Sequence, residues 1–167
     1  MVKVQEIKID GEGLHVFNSA IYIIESSTGY TLQLDAVVSE VVVLKYQNEV
    51  TLLVEIELQD GRQITSFMHL KRLSGGLPQL NLYCELNDID DFHDFLMINE
   101  NDSSYPNVED GITLEEIRKY EMPNEKITLK LKLPIEQTEW LIEQKPGDLS
   151  NIIKEAIYDY WRKYEMK

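Results

Sequence analysis

Over the first eighty-six residues, apolar and polar positions alternate in short runs punctuated by turn residues. Val2, Val4, Ile7 and Ile9 form a first run that stops at Asp10-Gly11. AIYIIES (20–26) meets the turn Ser27-Thr28-Gly29, and YTLQLDAVV (30–38) returns with Tyr30, Leu32 and Leu34 on one side. VVVLKY (41–46), a turn at Gln47-Asn48 and VTLLVEIEL (50–58) supply another pair. In the last of these, Val54, Ile56 and Leu58 alternate with Glu55 and Glu57, as in a strand with one wet face. Asp60-Gly61 is a hairpin turn, where glycine accepts positive φ, and RQITSFMHL (62–70) runs back from it. Gly75-Gly76-Leu77-Pro78 breaks the chain before QLNLYCEL (79–86). Seven or eight short strands joined by tight turns predict an antiparallel β-sheet, closed as a barrel or folded as a sandwich.

The period changes after residue 86. DIDDFHDFLMIN places Ile89, Phe92 and Leu96 at spacings of three and four, with Phe95 beside them, which predicts an amphipathic helix with Asp90, Asp91 and Asp94 off its apolar stripe. ENDSSYPNVEDG reads as a polar loop. In TLEEIRKY, Thr113 and Glu116 have the spacing of a capping box, and Met122-Pro123-Asn124 ends that helix.

The tail returns to alternation. In EKITLKLKLP, Ile127, Leu129, Leu131 and Leu133 point one way, and Thr128, Lys130 and Lys132 the other. Pro134 suits the first turn of a helix, where a missing N–H costs nothing. Ile135, Leu141 and Ile142 give that helix an apolar side flanked by Trp140. Pro146 stops it, Gly147 permits a turn, and Asp148 can cap a second helix. Ile152, Ile153, Ala156, Ile157, Tyr160, Trp161 and Tyr164 form a wide apolar stripe along that helix. A strand and two small helices cannot bury this much apolar surface alone. Their partner is either a second copy or the rest of the chain.

The predicted class is therefore α+β: an antiparallel β domain at 1–86, an acidic helix-loop-helix connector at 87–125, and a strand-helix-helix unit at 126–167. The apolar and charged fractions, 43% and 28%, are those of an ordinary globular domain. The charge of −14 is unevenly placed. Residues 1–83 hold 6 basic and 10 acidic side chains, residues 84–125 hold 2 and 13, and residues 126–167 hold 8 and 7. The middle segment thus repels nucleic acid and attracts basic surfaces, whereas the tail is nearly neutral. The single cysteine, Cys84, excludes an internal disulfide, and its apolar strand makes it a buried structural thiol; with no apolar leader in MVKVQEIKID, a cytoplasmic, non-membrane protein is expected.

Candidate chemistry is sparse. Asp88, Asp90, Asp91, His93 and Asp94 cluster within seven residues, but Phe92 stands where a calcium loop needs an oxygen ligand, and no glycine supplies the sharp turn. The pattern predicts a solvated acidic face and no metal site. His15, His69 and His93 are scattered. Nucleophile elbow, phosphate loop, dinucleotide fingerprint and zinc-protease motif are all absent from the sequence. The expectation is a non-enzymatic protein without a cofactor.

The basic alternating strand ending Leu133-Pro134, the turn Gly147-Asp148-Leu149-Ser150 and the run Ile152-Ile153-Lys154-Glu155-Ala156-Ile157 resemble the ribbon-helix-helix DNA-binding family, over about residues 126–164. The resemblance implies a homodimer whose paired strands enter the major groove of duplex DNA. Thr128, Lys130 and Lys132 would then read base edges, and the start of the second helix, near Leu149 and Ser150, would hold a phosphate. Lysines carry less bidentate specificity than the arginines and amides frequent in the family, and Asp148 sits where the phosphate would dock. Two function classes follow. One is a dimeric DNA-binding regulator whose β domain binds something else. The other is an acidic interaction or inhibitor module, with Asp88, Asp90, Asp91 and Asp94 facing a basic protein partner and the tail helices only capping the sheet.

Overall fold

A computed structural model describes residues 2–72 and 76–165. It divides into two compact units, Met1–Asn124 and Glu125–Lys167. The expected turn residue Gly75 lies outside the described residues, whereas Gly76 is described.

The first unit is built on one sheet of eight strands: β1 (Val4–Ile9), β2 (Glu12–Gly13), β3 (Asn18–Ser26), β4 (Gly29–Val37), β5 (Thr51–Leu58), β6 (Gln63–Lys71), β7 (Gln79–Leu86) and β8 (Leu96–Asn99). Their order across the sheet is β2-β1-β5-β6-β7-β4-β3-β8. All pairings are antiparallel except β3 with β8, which is parallel. The expected hairpin turns form where the sequence provides them: Asp10-Gly11 and Gly61 adopt positive φ, and Gly29 opens β4.

In β1, β3, β4, β5 and β7, alternate residues face a common core. Ile7 and Ile9, Ile21 and Ile23, Leu32 and Leu34, Val54 and Ile56, and Leu80 and Leu82 are buried together. Because β1 and β3 stand far apart in strand order yet share this core, the sheet is strongly curled. It does not close: no ladder joins β1 to β3, so the expected barrel is not formed, and the strands make one sheet rather than the two of a sandwich.

Two elements differ from the sequence reading. VVVLKY, expected as a strand, is a helix, α1 (Glu40–Tyr46). A strand would have put Lys45 on the same face as Val41 and Val43. The helix instead turns Val42, Val43 and Tyr46 onto the core and leaves Lys45 to pair with Glu12. Ser39 starts it by accepting the Val42 N–H at 3.2 Å.

The acidic helix expected over DIDDFHDFLMIN is absent too. Asp90–Phe92 forms a single 3-10 turn, and Leu96–Asn99 is β8. The backbone groups of Tyr22–Glu25 on the open edge of β3 need partners, and β8 supplies them in register from Tyr22 with Leu96 to Glu25 with Asn99. Ile89, Phe92 and Phe95 still reach the core, but from a turn.

Helix α2 (Leu114–Tyr120) carries both halves of the Thr113–Glu116 capping box. Its buried Ile117 joins Val37 and Val108 in a second, smaller core on the outer face of the sheet. Arg118 donates to both Glu40 carboxylate oxygens at 2.7 and 2.8 Å, and Ser39 donates to Glu121, so α1 and α2 are clamped end to end.

The second unit contains helices α3 (Ile135–Glu143) and α4 (Pro146–Glu165). Pro134 is the N-cap of α3. Pro146 opens α4 rather than merely ending α3, and Asp148 therefore lies in the first turn of α4 instead of capping it. Residues 125–133 make no ladder with any described strand. Among the described residues, no helix is long and apolar enough to cross a membrane.

Candidate functional site

In the second unit the side chains proposed to read DNA, Thr128, Lys130 and Lys132, are exposed, as are the aliphatic residues between them. Ile127 is 71% exposed, Leu129 56%, Leu131 62% and Leu133 39%. Neither helix buries a single residue, and Ile135, Trp140, Ile142, Ile157, Tyr160, Trp161 and Tyr164 are all exposed. At the start of α4, the Leu149 N–H is already donated to the Lys145 carbonyl at 2.9 Å. Pro146 has no N–H, so the unbonded donors of this turn are those of Gly147 and Asp148. Leu149 is half-buried, and the Ser150 side chain is exposed.

The acidic segment belongs to the first unit. Asp88, Asp90 and Asp91 are exposed and form no ion pair among the described residues. Asp94 differs. Arg62 spans it and Asp60, with its Nη1 3.0 Å from Asp94 Oδ1 and its Nε 2.8 Å from Asp60 Oδ2, while its guanidinium carbon lies 5.5 Å from the centre of the Phe95 ring. Hydrogen bonds from Arg62 hold the Asp94 and Asp60 carboxyls below their ordinary range. No group of three or more His, Cys, Asp or Glu side chains among the described residues is placed to hold a metal ion. His69 is exposed beside Thr51, and Cys84 is buried in the core.

A third constellation escaped the sequence reading. On the outer face of β3, β4 and β7, register places Tyr22 opposite Gln33 and Asp35 opposite Asn81. All four are buried. The Tyr22 hydroxyl donates to Asp35 Oδ2 at 2.8 Å, and Asn81 Nδ2 donates to Asp35 Oδ1 at 2.7 Å. Burial, followed by the hydrogen bond to Asp35, drives the Tyr22 phenol far above its usual range, so it remains a donor. These residues line a cavity of about 340 Å³, walled on the other side by Tyr105, Asn107 and Glu109 of the loop after β8.

Glu109 is anchored there because its Oε1 accepts the Leu77 N–H at 2.9 Å. A Cβ on Gly76, which sits at φ +83°, would come within 2.1 Å of that oxygen. The positive φ favours glycine here, and any side chain would also displace the Glu109 carboxylate from its place.

Alternation alone marks Gln33, Asp35 and Asn81 as solvent-facing, which is why they were missed. The available signal was their setting: Asp35 and Asn81 are short polar residues inside the apolar runs LQLDAVV and QLNLYC. A second, larger cleft of about 700 Å³ lies where the sheet fails to close, between Val2–Ile7 and Leu14–Ala20.

No protein-family model, curated protein or solved structure matches the chain.

Proposed function

We propose that this chain is a non-enzymatic DNA-binding regulator that works as a dimer, residues 126–164 of two copies forming a ribbon-helix-helix. The observation that carries this reading is the segment 127–133: a strict alternation with four exposed aliphatic residues and no backbone hydrogen-bond partner among the described residues. An unpaired alternating strand is a template for another strand, and a second copy provides an identical one.

Pairing would bury these side chains, a gain of the same order as the cost of association. Each aliphatic side chain contributes about 1.5–3 kcal/mol when fully buried. After allowing for half-burial in the single chain, eight such side chains across two copies supply on the order of 10 kcal/mol. The helical stripes add to this, against an association cost on the order of 4–15 kcal/mol. Pairing would leave Thr128, Lys130 and Lys132 of both copies on the opposite face of the ribbon, pointing into a groove. Asp148 disfavours a phosphate at the start of α4, so the ribbon lysines and the Ser150 hydroxyl carry the contact in this reading.

The test is binding to duplex DNA as a function of salt. Replacing Lys130 and Lys132 by alanine removes four cations per dimer and should reduce the slope of log K against log [salt] by roughly 3–4. Binding that keeps its wild-type affinity and slope in the double variant would exclude the ribbon as the reading surface.

The acidic face supports a second reading, with Asp88, Asp90 and Asp91 as three exposed carboxylates that lack ion pairs among the described residues. It predicts capture of a basic protein that is lost when all three become asparagine, with Asp94 contributing little because Arg62 already holds it.

A further inference from the structure

We propose that the cavity over β3, β4 and β7 binds a small organic cation, through an ammonium or guanidinium group seated on Asp35. The inference concerns the first unit alone and stands independently of whether the tail binds DNA.

Asp35 is 8% exposed and forms no ion pair among the described residues. A buried carboxylate without a cation is costly. Tyr22 and Asn81 each donate one hydrogen bond to it, on different oxygens. A carboxylate accepts about four, so the two fixed donors set its orientation and leave half its capacity open.

Gln33 provides the second observation. It is 6% exposed, and its side chain has no hydrogen-bond partner among the described residues. Among the described residues no fully enclosed side-chain polar atom lacks a partner, so the Gln33 amide opens onto the cavity it lines. Such a group, nearly buried and unsatisfied by the protein, is a vacant hydrogen-bonding position.

Charge decides the class of ligand. Among the described residues, the walls carry two carboxylates, Asp35 and Glu109, against one cation, Lys71, which is exposed and forms no ion pair with any of them. The Tyr105 ring, 6.3 Å from that of Tyr22, adds an aromatic wall of the kind that favours cations. The volume of about 340 Å³ suits a small molecule.

The experiment titrates the full chain with agmatine, urea and inorganic phosphate at constant ionic strength, following the side-chain amide NMR signals of Gln33 and Asn81. Agmatine should shift both signals saturably, and urea and phosphate should not. Asp35→Asn should weaken agmatine binding about tenfold or more. Gln33→Leu, which leaves the Tyr22–Asp35–Asn81 bonds in place, should weaken it several-fold and decides the matter if Asp35→Asn fails to fold. Non-saturating shifts, a response to phosphate equal to that for agmatine, or agmatine affinity unchanged in folded Gln33→Leu and Asp35→Asn proteins would overturn the proposal.

Discussion

At the scale of single residues, Arg62 shows how charge is arranged on the first unit. One guanidinium holds two carboxylates, Asp60 beside it in sequence and Asp94 thirty-two residues away, and rests over Phe95. It ties the turn after β5 to the segment before β8. In an acid titration followed by carboxyl NMR signals, Asp94 and Asp60 should titrate below the ordinary carboxylate range. Arg62→Gln should return Asp94 to the ordinary carboxylate range. Asp60 should rise less, because the backbone N–H of residue 62 still bonds it at 3.0 Å. The sign of the linkage follows: a depressed carboxyl stabilises fully at neutral pH, and that contribution fades as pH falls through the depressed midpoint. Both groups are exposed, so the effect on stability is small and screened by salt. An Asp94 midpoint unaffected by Arg62→Gln would remove the pair from the account.

At the scale of elements, the clamp between α1 and α2 depends on Ser39. This residue is 1% exposed, caps α1 and donates to Glu121 at the end of α2. Ser39→Ala should cost the first unit about 1–2 kcal/mol, read as a lower urea midpoint in the far-UV circular dichroism. An unchanged midpoint would show that the Arg118–Glu40 pair suffices. Trp140 and Trp161, the only tryptophans, both lie in the second unit, so their fluorescence does not report this loss.

The elements also show what could be read in advance. Strands with one dry and one wet face, such as β5, were legible because period two and burial coincide there. The capping box of α2 was legible because it is local. Helix α1 was not, since its β-branched run fits a strand, and the Ser39 cap together with tertiary burial of Val42, Val43 and Tyr46 selects the helix. Nor was β8, whose identity depends on the bare edge of β3, a feature remote in sequence. In the candidate site, Asp35 and Asn81 have the polarity of surface residues. The loop that buries them, carrying Tyr105 and Glu109, reads only as polar coil.

At the scale of the whole molecule, the two units contrast. The first has an apolar core fed by six of its eight strands and a buried polar cluster lining a cavity. The second has two amphipathic helices and an alternating segment, with no buried residue among those described. The charge follows the same division: the large excess of carboxylates lies in the first unit, and residues 126–167 carry 8 basic against 7 acidic side chains. A near-neutral unit with bare aliphatic faces associates more readily than a strongly acidic one, because self-repulsion is absent. Dilution should therefore change the tryptophan emission, which reports only the second unit, while leaving the sheet signal in the far-UV unchanged.

The measurement that bears most directly on the central claim is sedimentation equilibrium of the full chain beside a Leu129→Asp/Leu131→Asp variant. The wild type should sediment at twice the 19.5 kDa chain mass and the variant at the single-chain mass, with the sheet of the first unit intact. A single-chain mass for the wild type at tens of micromolar, or a dimer indifferent to the two aspartates, would contradict it.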